Sequence, residues 1–129
     1  MIERMIRVAV AGVLVFAVAG TTNAFAKSGD VIHRGSCSGS SDWKLKLSPD
    51  NGKIEVEYEV DSNHAGQTWR VKLFENGNRI FAGTKMTQGA SGSFTVRRLA
   101  ANTAGSDAFR AHATNLGNGE TCGGSAAIG

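Results

Sequence analysis

Lys53-Ile54-Glu55-Val56-Glu57-Tyr58-Glu59-Val60-Asp61 alternates without a fault, apolar at every even position and charged at every odd one. Period two is the repeat of a β-strand, whose successive side chains point to opposite faces. One face of this strand is therefore buried and the other stands in water. The run before it has the same pattern: Trp43, Leu45 and Leu47 alternate with Asp42, Lys44, Lys46 and Ser48. Ser48-Pro49-Asp50-Asn51-Gly52 lies between the two, with Pro49 in the turn and an Asn-Gly pair that tolerates the positive φ of a hairpin. Antiparallel pairing across Ser48–Gly52 sets Lys46 opposite Glu55, Lys44 opposite Glu57, Leu45 against Val56 and Trp43 against Tyr58. Each such pair contributes about 0.2–1 kcal/mol, and a one-residue slip would spoil both faces. The row of glutamates thus specifies the fold and is not a ligand site.

The alternation continues along the chain. Trp69, Val71 and Leu73 alternate with Arg70, Lys72 and Phe74; Phe94 and Val96 with Thr95 and Arg97; Phe109, Ala111 and Ala113 with Arg110, His112 and Thr114. Asn76-Gly77 and Asn118-Gly119 mark two further hairpins, and Gly/Ser clusters at 89–93 and 102–106 supply the remaining connections. No helical stripe appears outside residues 1–26. Seven to eight short strands at this spacing predict an all-β antiparallel sandwich.

Asp107-Ala108-Phe109-Arg110-Ala111-His112-Ala113-Thr114-Asn115 resembles strand F of immunoglobulin-like domains, whose pattern is Asp-x-Tyr-x-Cys-x-Ala. The resemblance covers most of residues 27–129. Lys53–Asp61 is similar to strand B, and Gln67–Glu75 to strand C with its core tryptophan at Trp69. Arg79–Thr87 is similar to the next edge strand, Gly92–Leu99 to strand E and Glu120–Ile128 to strand G. Two departures stand out. Phe109 replaces the tyrosine of the tyrosine corner, and Ala111 replaces the strand F cysteine, so the usual inter-sheet disulfide has no partners. The run from Gly35-Ser36-Cys37 to Gly119-Glu120-Thr121-Cys122 is also similar to small exported proteins of actinobacteria. What these likenesses imply is an immunoglobulin-like sandwich; they say nothing of a ligand, since one fold hosts many activities.

Residues 1–26 read as a cleaved signal peptide. Arg4 and Arg7 precede the apolar run Val8–Gly20, a polar stretch follows, and Ala24-Phe25-Ala26 fits a cleavage site before Lys27. The apolar run is too short for a spanning helix, which needs roughly 20 residues, so no membrane anchor is expected and the product is secreted, free and monomeric. The chain has two cysteines, Cys37 and Cys122. In an exported protein these pair by default, which would tie the N-terminal strand to strand G.

Chemistry is sparse. His33, His64 and His112 share no metal-ligand spacing, and the chain lacks His-Glu-x-x-His and Cys-x-x-Cys. No enzyme, metal or cofactor is expected. A net charge of +3 is too small to announce a nucleic-acid partner. The one candidate surface is the outward side of strands C and F, where Arg70, Lys72, Phe74, Arg110 and His112 come together, with Arg79 nearby. Such a basic face with an exposed aromatic suits an acidic extracellular protein, a glycan or a cell-envelope polymer. An inhibitor of an extracellular enzyme and a structural domain of the cell envelope are the competing functions.

Overall fold

The computed structural model describes residues 29–129; the expected signal segment 1–26 and the expected cleavage before Lys27 lie outside them. Eight strands follow one another: β1 (Val31–Ser36), β2 (Asp42–Asp50), β3 (Lys53–Asp61), β4 (Thr68–Glu75), β5 (Asn78–Met86), β6 (Ser93–Ala101), β7 (Asp107–Asn115) and β8 (Thr121–Ile128). They form two four-stranded sheets, ordered β1-β2-β3-β6 and β5-β4-β7-β8. All six strand pairings are antiparallel. The result is a β-sandwich compatible with the immunoglobulin-like fold.

The even-numbered face of β3 meets the odd-numbered faces of β4 and β7 in one core. Leu45, Leu47, Ile54, Val56, Tyr58 and Val60 from the first sheet bury against Trp69, Val71, Leu73, Phe109, Ala111 and Ala113 from the second. The tilted rings of Trp69 and Phe94, 6.1 Å apart, join the two layers.

The first hairpin corrects the expected register. Leu45 pairs with Tyr58, Lys44 with Glu59, Lys46 with Glu57 and Leu47 with Val56, two residues from the expected alignment. The faces are unchanged because a shift of two keeps every side chain on its side. The turn itself decides the register. Asn51 and Gly52 both take positive φ, 49° and 79°, and form a two-residue loop closed by Asp50 and Lys53. Pro49 accordingly lies within β2 and not in the turn. It falls beyond Leu47, the last β2 residue in the β1 register, so β1 does not pair at the proline.

Along the side where β1 meets β8, several clips act together. The Cys37–Cys122 disulfide spans a sequence separation of 85. The Glu120 carboxylate accepts the amides of Gly39 (3.0 Å) and Ser41 (2.9 Å) and the Ser41 hydroxyl (2.9 Å). His33 Nδ1 lies 2.8 Å from the Ser125 carbonyl. The Trp43 indole presses so closely on Gly35 and Gly124 that a Cβ at either would overlap the ring. Glycine inside a strand commonly marks such an approach.

Tyr58 on β3 crosses the core and donates its hydroxyl to the Cys122 carbonyl on β8, at 2.9 Å. Burial pushes its phenol well above the ordinary value. Below about pH 10 the phenol is protonated in both folded and unfolded chains, and its contribution to stability is fully present. As the pH rises further the unfolded chain ionises and the folded one does not, so stability falls. Tyr58 is the single tyrosine, so phenolate absorbance reports it alone. The expected result is that phenolate appears only in step with the loss of strand circular dichroism. Ionisation near pH 10 with the fold intact (the behaviour of a free tyrosine) would contradict the burial.

Candidate functional site

The outward faces of the two sheets carry charge in opposite ways. On the first sheet, acids and bases interleave. Lys44 reaches Glu59 at 3.9 Å, Arg97 reaches Glu57 at 3.1 Å, and Lys46 reaches Asp30 at 3.7 Å. Glu57 is thus engaged from β6, not by the lysine expected opposite it, and Glu55 lies between Ser48 and Leu99. Opposed charges across strands stabilise such a face.

The second sheet has no such compensation. Its four strands contain two acids, Glu75 and Asp107, and both are buried. Arg70 and Lys72 of β4 and Arg110 of β7 are exposed, and His112 is half-buried between Gly123 and Lys72. Among the described residues no ion pair reaches Arg70, Lys72, Arg79 or Arg110.

Register gives these groups an order along the strands. Arg70 pairs with Thr114, Lys72 with His112, and Phe74 with Arg110. Two basic side chains, Lys72 and His112, stand directly opposite each other, an arrangement that adds nothing to fold stability. Phe74 departs from expectation. The β4–β5 register shifts between Leu73 and Phe74, the ring is half-buried, and the Arg110 guanidinium lies 4.1 Å above its centroid. The aromatic expected to stand exposed therefore serves as a platform that orients Arg110. Arg79 pairs with Phe74 from the β5 side.

No family model, curated protein or solved structure matches the chain. Its surface has to be interpreted from its own residues.

Small side chains flank the basic row on both sides, which the sequence patterns had not singled out. Toward β5 a shallow depression of about 470 Å³ is lined by Arg70, Lys72, Ala82, Gly83 and Thr84. Toward β8 a second, of about 260 Å³, is lined by Arg110, His112 and the run Gly123–Ser125. A third depression, at Gly66–Thr68 and Asn115–Asn118, carries no charged side chain. Among the described residues no three His, Cys, Asp or Glu side chains gather as a metal site would require. His33 is on β1, His64 in the β3–β4 loop and His112 on the outer face of β7.

Proposed function

We propose that the mature chain is an exported, non-catalytic binding module that recognises an acidic partner through the outer face of β4 and β7. The observation that carries this reading is the contrast between the two sheets, one with interleaved opposite charges and the other basic and free of exposed acid. Like charges gathered without compensation add nothing to the fold, and departures of this kind concentrate at functional surfaces. Export is supported by the disulfide, which persists in oxidising compartments, together with the signal-like N-terminus. The Gly35-Ser36-Cys37 and Gly119-Glu120-Thr121-Cys122 pattern supports a place among small exported actinobacterial proteins.

The test is a double reversal, Arg70→Glu with Arg110→Glu. Binding to the isolated cell envelope of the host is expected to be lost, while the melting temperature stays close to wild type because both residues are exposed. Envelope binding that survives the reversal with unchanged salt dependence would put the site elsewhere.

A further inference from the structure

We infer that the partner is a linear polyanion lying parallel to β4 and β7, with anionic groups about one two-residue strand repeat, ~7 Å, apart. This inference rests on the β4–β7 face being the binding surface. Its basic residues occupy three successive levels along the strands: Arg70, then Lys72 with His112 opposite, then Arg110 held over Phe74. Each level is two residues from the next, so the row spans about 14 Å. Groups spread over that length do not converge on one small anion. They match a chain that presents a charge at each level.

The surroundings point the same way. The depressions beside Ala82–Thr84 and Gly123–Ser125 run along both flanks of the row, leaving room for the uncharged bulk of a polymer on either side. A folded acidic protein would need a central apolar anchor, yet Phe74 is covered by Arg110, and Met86 stands at the corner of the sheet. A second copy docked face to face would set cations against cations. Single-stranded nucleic acid would need an open aromatic for its bases, and none is offered here. The shared chemistry is therefore a phosphodiester or carboxylate polymer without stacking bases.

The experiment measures binding of the full mature protein to poly(glycerol phosphate), to polygalacturonate, to monomeric glycerol phosphate and to oligo-deoxythymidine across a salt series. At least one of the two polymers should bind while the monomer shows no saturation, and the tighter polymer identifies the anion. Three neutralised cations, Arg70, Lys72 and Arg110, give a log–log salt slope of about −2, and Lys72→Ala should reduce its size by roughly 1. Arg70→Glu/Arg110→Glu should weaken polymer binding on the order of 100-fold. If the polymers bind no better than the monomer, or if oligo-deoxythymidine binds more tightly than either, the polyanion inference is overturned. The envelope test of the face would then still stand alone. Polymer binding untouched by the double reversal overturns both the inference and the face.

Discussion

Trp69→Ala is expected to lower the stability of the domain by about 3–5 kcal/mol, the cost of truncating a buried aromatic. Trp69 is fully buried, comes from the central strand β4, and meets Phe94 of the opposite sheet. Its removal opens a cavity between the layers where neither sheet can collapse freely. Total stabilities of small domains are about 5–15 kcal/mol, so the variant should be close to unfolding at physiological temperature. Two controls sharpen the measurement. The indole Nε1 has no hydrogen-bond partner among the described residues, so Trp69→Phe deletes an unpaired donor and should cost well under the alanine change. Lys44→Ala removes one partner of a partly exposed 3.9 Å ion pair and should cost less than about 1 kcal/mol. Equal denaturant midpoints for Trp69→Ala and Lys44→Ala would mean that the inward and outward faces are wrongly assigned.

Replacing both cysteines, Cys37→Ala with Cys122→Ala, is expected to lower stability by about 2–5 kcal/mol. The disulfide joins residues 85 apart, and closing a loop of that size removes about 4.5 kcal/mol of chain entropy from the unfolded state. The folded state should keep its strands, because Glu120, the His33–Ser125 contact and the Tyr58 hydroxyl join the same two sheets independently. Thiol titration of freshly secreted, denatured protein should find no free sulfhydryl. Two titratable thiols would refute the pairing, and loss of strand content in the variant would show that the other clips do not hold alone.

How far the sequence could be read depended on which rule each segment obeys. Buried strands such as Lys53–Asp61 and Asp107–Asn115 alternate cleanly, so their faces were legible, and the alternation around Trp69 on β4 marked the core tryptophan. Register was not, because alternation is blind to a shift of two. Only the positive φ at both Asn51 and Gly52 distinguishes a two-residue turn from the longer one expected. Edge strands were the least legible: β1 reads intermediate, exposed, exposed, exposed, intermediate, exposed, and so lacks the period that marks a half-buried strand. Tyr58 looked like one more apolar residue of β3, yet its hydroxyl bridges the sheets. Such a bond depends on what the opposite sheet offers, here a carbonyl at Cys122. The basic residues of the candidate face were legible as an outward row. Phe74 was misjudged, since the register shift beside it and the stacking of Arg110 follow from how β4 meets β5 and β7. The low flanks were visible in principle, as Gly123-Gly124-Ser125 within a strand.

The central claim is that the two faces of the sandwich divide the labour, the β2–β3 face specifying the fold and the β4–β7 face meeting the partner. Amide chemical-shift mapping tests it most directly, with isotopically labelled mature protein titrated with the polymer that binds best. The predicted result is a set of shifts centred on Arg70, Lys72, Arg110 and His112, extending to residues 82–84 and 123–125. Shifts centred on Glu55–Asp61 would contradict the account.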